Sequence, residues 1–417
     1  MSGPCRRIWG PLVVVLGVAM VSVAMAEDWP QWRGPNRDGR STETRWNPRW
    51  GQDGPKSLWN KQVGTGYSTV TVHEGRLYTM GYDDRNRSDV VYCLDPLTGR
   101  ELWRMSYPIA KYDKMHLGGP ACTPSVDGDR LYIMNREATV YCLNTADGKV
   151  RWSKDLRQTH GAKLPEWAFA GSPLVLGDAV IVDVGPTVAL NKLTGEPIWA
   201  SQDYGSAYSS PIAFEHQGKQ CLAVFPEHGL VVLDASNGRE LAKTRWKTSY
   251  GVNSATPIVI DDRIFISSGY NTGCAMYRFT GNALVELWGN RNLRNQMASS
   301  IYRDGYIYGI DSRSRGGALQ CLNAETGQVV WSYPDAGNGT VALAGDVLIL
   351  LTESGELVTA KATPERFERL QGPSPVLRAE RCWVVPVLSN GLLYCRSPQG
   401  LLVCLDLRSE QELARLE

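Results

Sequence analysis

Residues capable of chemistry are present in this sequence, yet none sits in a self-sufficient motif. No Ser-His-Asp order, closely spaced carboxylate pair or phosphate-binding glycine loop can be picked out. Instead, polar residues are scattered between short apolar segments: His116, Arg136-Glu137, His160 to Trp167, Glu227-His228, Tyr250, Asn253, Tyr270-Asn271, Arg294, Asp311 and Arg313. Arg136 and Arg294 can hold an anion, and His116 or His228 can act as a general base. Loop residues of these types are usually solvated surface. The expectation is therefore a ligand or partner face built from His116, Arg136, Glu137, Trp167, Glu227, His228, Asn253, Asn271, Arg294, Asp311 and Arg313, with no catalytic residue and no metal site assigned. Trp and Tyr beside Asp and Asn also suit sugar rings, although nothing in the sequence selects them.

The ten cysteines suggest metal or disulfide chemistry, but their context points elsewhere. Tyr92-Cys93-Leu94-Asp95, Tyr141-Cys142-Leu143-Asn144, Gln320-Cys321-Leu322-Asn323 and Val403-Cys404-Leu405-Asp406 are copies of one another. Cys in this slot reads as a small buried strand residue, since no CxxC pair or His cluster accompanies it. Cys382 and Cys395 could face each other across a hairpin, and no bond is assigned to them.

These copies belong to a repeat. Apolar segments flank turns at Glu74-Gly75, Asp127-Gly128, Gly177-Asp178, Gln217-Gly218, Asp261-Asp262, Asp304-Gly305, Gly345-Asp346 and Asn390-Gly391, at gaps of 40 to 53 residues. In five units a later strand ends in Asp or Asn, with Gly four residues on: Asp95/Gly99, Asn144/Gly148, Asn191/Gly195, Asp234/Gly238 and Asn323/Gly327, while repeats five, seven and eight depart from this pattern. Trp often follows that Gly. Each unit reads as four strands, and eight units that cannot bury both sheet faces alone close radially into an eight-bladed, all-β propeller spanning 57–417. Trp59, Trp103, Trp152, Trp199, Trp246, Trp288 and Trp331 are expected to wedge between neighbouring blades with each indole N–H on a backbone acceptor. Ring closure can come from the strand around Trp59 or from Glu412-Leu413-Ala414-Arg415-Leu416. Trp59 is preferred because it keeps the indole. The loops joining strands two and three and those joining blades share one face, where the polar residues above should gather with every His except His73.

Arg6-Arg7, the apolar run from Ile8 and the small-x-small Ala24-Met25-Ala26 read as a cleaved signal peptide over 1–26, with an uncleaved N-terminal anchor as the alternative. An extended lead-in follows over 27–56. The mature chain is then periplasmic or secreted. Lys and Arg total 44 against 43 Asp and Glu, which leaves no basic footprint for nucleic acid.

The unit Leu-Asp/Asn-x-x-Thr/Asp-Gly-x-x-x-Trp, seen from Leu94 to Trp103 and from Leu322 to Trp331, resembles the tryptophan-docking motif of the quinoprotein-like (PQQ-like) propellers. The likeness runs from about Ser57 to the C-terminus, and Asp28-Trp29-Pro30-Gln31-Trp32-Arg33-Gly34 resembles the opening of secreted bacterial members. WD-repeat propellers fit worse, since none of the terminal Trp precedes Asp. The resemblance implies one of two functions. BamB-type members are noncatalytic scaffolds for outer-membrane β-barrel assembly, implying protein partners in the cell envelope and a monomeric chain without cofactor. Quinoprotein dehydrogenases hold pyrroloquinoline quinone (PQQ) and Ca²⁺ at the channel mouth and oxidise alcohols or sugars. On that alternative, Glu227, Asn253 or Asn271 and Asp311 are the candidate Ca²⁺ oxygens. The vicinal Cys-Cys of methanol-type dehydrogenases is absent, and the scaffold is the preferred reading. The inserts Arg104 to Pro120 and Lys154 to Ala170 are the longest blade connections and the expected place for a partner or ligand.

Overall fold

A computed structural model describes residues 28–313 and 316–409; the expected signal segment and the alternative closing strand lie outside the described residues. Eight antiparallel sheets form the eight blades of a propeller. Blade 1 comprises Thr71–His73, Arg76–Asp83, Ser88–Leu94 and Glu101–Pro108. Blades 2 to 7 repeat this order from innermost strands that begin at Ser125, Leu174, Ile212, Ile258, Ile301 and Thr340. Blade 8 takes Val387–Ser389, Leu392–Arg396 and Leu401–Asp406 from the C-terminal side and Lys56–Gln62 from the N-terminal side. Trp59 thus closes the ring opposite Cys404. Closure is reinforced by Arg396, fully buried, whose guanidinium donates to Ser68 O (2.6 Å), Met80 O (2.6 Å), Thr79 Oγ1 (3.0 Å) and Gly64 O (2.9 Å) of blade 1 and its approach. Burial lowers its pKa to about 9.

Hairpin turns between strands one and two, and Asx-Gly turns between strands three and four, lie on one end of the ring, the turn face. Glu74-Gly75 has positive φ at both residues (46° and 69°), the conformation that matches strand twist in a two-residue hairpin. In the Asx-Gly turns, Asp95 Oδ1 accepts from the amides of Leu97 and Thr98, and Gly99 takes φ 68°. That glycine has a second reason: a Cβ there would come within 2.7 Å of the Trp59 ring docked from the preceding blade. The same geometry puts Trp103 on Thr145 O and Gly148, Trp152 on Lys192 O and Gly195, Trp199 on Ala235 O and Gly238, and Trp288 on Ala324 O and Gly327. Trp331 reaches Thr363 O at 2.8 Å without a glycine. Except for Trp199, whose blade has no aromatic in its second strand, these indoles also tilt against an aromatic of their own second strand, as in Tyr78 with Trp103 and Tyr132 with Trp152, and Cys93 and Cys142 pair with those tyrosines. The Trp, Tyr and Cys repeats are one packing unit, and the nine cysteines among the described residues are buried and free.

Trp246 departs from this pattern. Its indole donates to Ser268 Oγ (2.9 Å) rather than to the next blade's turn, because it follows Gly238 by eight residues and has run past the docking position. Phe214, His216 and Phe279 pack the junction of blades 4 and 5 instead. His216 therefore lies on the turn face, its ring 4.7 Å from Phe279, and not on the loop face where it was expected.

The lead-in occupies the centre of the ring. Trp29 pairs with Val72 of blade 1, Pro30 O accepts from Val126 N of blade 2, and Trp32 Nε1–H donates to Thr256 of blade 5. Arg33 donates to Ser300 O (2.6 Å), Arg37 to Pro173 O (2.9 Å) and Ser172 O (3.1 Å). Arg40–Ser41 then adds a parallel strand inside blade 7, and Glu43 accepts from Asn390 and Gly391 of blade 8. Both arginines are buried among carbonyl oxygens, so burial pushes their pKa values down, to about 10 for Arg33 and about 9 for Arg37, where the Arg33 charge adds to the effect. One short segment thereby ties seven blades together across the axis. Further on, Trp46 fills the core between blades 7 and 8, where the outermost strand of blade 7 lacks a docking Trp.

Candidate functional site

Opposite the turn face, the loops between strands two and three and between blades surround a cavity of about 730 Å³. Its floor is Trp32 of the lead-in. Aromatic rings form two walls. On one side Tyr67 stacks on Trp383 (centroids 5.8 Å, 21°) and meets the His116 ring edge-on at 5.6 Å. Across the opening, Trp167 contacts Tyr208 and Tyr250, and Tyr250 contacts Tyr270 at 5.5 Å. Met115 and Met297 stand at the rim, 84% and 41% exposed. The size and the apolar lining with few polar groups are those of a ligand site.

The backbone of this rim is strained. Met115, Ala168, Tyr250 and Arg381 all have φ between 59° and 64°, the left-handed region that non-glycine residues seldom adopt, and they lie outside the two-residue hairpins, whereas Tyr270 and Asn271 (52° and 59°) are the central pair of a hairpin turn closed by Thr272 N on Gly269 O. Such strain persists where the surroundings over-determine it and gathers at binding sites.

The polar groups divide into those already engaged and those still available. Arg136 is 3.1 Å from buried Asp89, donates to Ala110 O and lies over the Tyr82 ring. Burial raises Asp89 to about 6 despite the arginine beside it. Glu137 accepts from the Tyr112 hydroxyl (2.6 Å). Asn253 is wholly buried as a loop clamp, accepting from Thr248 and Ser268 and donating to Pro226 O. Asp311, also wholly buried, receives Arg294 bidentately (2.7 Å to each oxygen) and Arg313 at 2.7 Å, and Arg294 also reaches Asn271. Glu227 and His228 are exposed beside Gly205, outside the cavity lining. At the opening, His116 Nδ1 accepts from Gly118 N (2.9 Å), which leaves the proton on Nε2. Its burial, foremost, lowers its pKa, so the ring is neutral at pH 7.

Of the eleven residues picked from the sequence, the cavity thus gathers only His116, Arg136 and Trp167. The sequence reading missed Trp32, Tyr67, Met115, Gln296, Met297, Arg381 and Trp383 as cavity residues. One signal was available for two of them: Trp32 and Trp383, like Trp167, stand outside the repeat position that accounts for the docking indoles.

Most of the residues named above for a quinone and Ca²⁺ are already engaged. Asp311 already has both oxygens saturated by arginines, Asn253 is a clamp, and Arg136 and Arg294 are paired with carboxylates. Among the described residues no group of three or more His, Cys, Asp or Glu could hold a metal ion.

Over residues 87–333 the chain matches the PQQ_2 family, described as outer membrane protein assembly factor BamB. It is 24% identical over 323 residues to outer membrane protein assembly factor BamB of Burkholderia pseudomallei, which spans 72% of this chain and 75% of that protein. The crystal structure of BamB from Moraxella catarrhalis superposes with a TM-score of 0.61 at 15% identity, covering 84% of this chain and 96% of that one. Quinohemoprotein alcohol dehydrogenase from Comamonas testosteroni gives 0.63 at 13% identity, covering 92% and 81%. At such identities the solved structures bear on fold alone.

Proposed function

The chain belongs to the BamB-type PQQ_2 family, and from that premise we propose that it is an exported, noncatalytic scaffold of the cell envelope that takes part in outer-membrane protein assembly by docking a protein on its loop face. The observation that carries this reading is the composition of the rim. Met115, Leu117, Tyr250, Tyr270 and Met297 are exposed there beside Arg381, and Met, aromatic and Arg side chains are the types enriched at the centres of protein interfaces. Such a cluster in contact with water marks a surface meant to be covered. A ring tied across its own axis offers that surface without a conformational change on binding.

The test is genetic. Deleting the gene in its host should lower the amounts of outer-membrane β-barrel proteins. The wild-type gene should restore them, and a Met115→Asp/Met297→Asp form secreted at equal level should not. Unchanged barrel levels in the deletion strain would sink the proposal.

A further inference from the structure

We infer that the cavity inside the rim is a binding site for neutral saccharides. This goes beyond the scaffold reading: it shares Tyr250, Tyr270 and Arg381 with that surface but does not use the rim methionines. Three observations lead to it.

The first is the walls. A pyranose presents a face of C–H groups with partial positive charge, which seats on the negative face of an aromatic ring. Tyr250 is 68% exposed and Tyr270 39% exposed, so each still offers ring surface. Trp167 and Trp383 stand on opposite sides of the opening. The floor formed by Trp32 makes the site a pit that a sugar chain enters end-on.

The second observation separates a sugar from an extended peptide. A peptide strand pairs through its backbone and needs unused N–H and C=O groups beside it. Seven amides of the walls are already engaged: Tyr67 and Ser68 with Pro120 O, Ala168 with Pro165 O, Phe169 with Arg136 O, Tyr208 with Asn253 O, Val252 with Ser249 O and Trp383 with Arg381 O. What remains is carried by side chains: His116 Nε2–H and the Glu166 carboxylate, with the Gln296 amide, which also bonds the Tyr270 hydroxyl, and the Arg381 guanidinium, which spends one N–H on Met115 O (3.1 Å) and lies over the Trp383 ring. Planar groups of this kind bracket adjacent hydroxyls.

The third is charge. Arg136 is neutralised by Asp89 and His116 is uncharged at pH 7, and the remaining charged lining residues, one Glu166 and one Arg381, sum to zero. The pit therefore selects a ligand without net charge.

The experiment is calorimetry and tryptophan fluorescence on the purified chain starting at Glu27, with cellohexaose, maltohexaose and chitohexaose as probes. A peptide of alternating Tyr and Thr serves as control, and sedimentation with cellulose and chitin as a further arm. At least one hexasaccharide should bind saturably, and Tyr250→Ala and Trp167→Ala should each weaken it about tenfold or more with unchanged unfolding midpoints. Co-sedimentation would assign the ligand to a polysaccharide, and binding of the free oligomer alone to a soluble sugar; both support the inference. It is overturned by the absence of saturable binding to any saccharide, by affinities equal across the variants, or by binding of the peptide alone. Met115→Asp/Met297→Asp should leave sugar affinity intact, so failure here and failure of the scaffold reading can be told apart.

Discussion

The two ends of the propeller differ in the residues on which the left-handed backbone conformation falls. On the turn face it falls to hairpin residues and to glycines such as Gly99, Gly148, Gly195, Gly238 and Gly327, each lying under an indole from the neighbouring blade. On the loop face glycines such as Gly119, Gly185 and Gly205 take it too, but the same conformation is also imposed outside any hairpin on Met115, Ala168, Tyr250 and Arg381, where glycine would be less strained by roughly 1 kcal/mol per residue. The turn face thus follows the rule that stabilises a blade. The loop face departs from that rule and gains exposed side chains around a pit, so stability is given up where binding is expected.

This contrast can be broken most sharply at the ring closure. Arg396→Met would strand four acceptors of blade 1 and its approach without their donor, and the loss should be about 4 kcal/mol by urea unfolding. A change below about 1 kcal/mol would show that Arg396 does not latch the ring. Gly148→Ala comes next, at about 2 kcal/mol, because the new Cβ would lie 2.5 Å from the Trp103 ring at φ 72°. A neutral outcome would remove the argument that these glycines are imposed by docking.

Asp183 tests burial at the loop end of blade 3. Burial raises its pKa to about 7, from an unfolded value near 3.9, so the folded state holds the proton more tightly. Its contribution to stability must therefore fall as pH rises from about 4 through 7. Asp183→Asn should be more stable than wild type at pH 8 by about 2 kcal/mol, with the difference fading by pH 4. A difference independent of pH would contradict the assignment. The smallest effect is expected from titration with pyrroloquinoline quinone and Ca²⁺: no saturable tryptophan quenching and no dye reduction with alcohols. Tight Ca²⁺-dependent binding would replace the scaffold reading with the dehydrogenase one.

The blades were legible in the sequence because each is specified locally, by an Asx, a Gly and a Trp a few residues apart. Trp246 misled because it keeps the residue type but not the spacing. The path of the lead-in could not be read, since Trp29, Arg33 and Arg37 have no periodicity and meet residues far along the chain, at Val72, Ser300 and Ser172. The pit was legible only in part for the same reason. Its rings come from position 32 to position 383, brought together by ring closure rather than by any local pattern. Asp311 and Arg294 looked like ligand-binding residues by type, and the fold had already joined them to each other.

The central claim is that the loop face holds its side chains against the conformational preference of its backbone. The direct measurement is the unfolding free energy of Met115→Gly/Tyr250→Gly/Arg381→Gly beside that of wild type. We expect the triple variant to be at least as stable, by up to about 2 kcal/mol, as strain is relieved at exposed positions. A loss of 2 kcal/mol or more would mean that these residues hold the fold together, and the contrast between the two ends would fail.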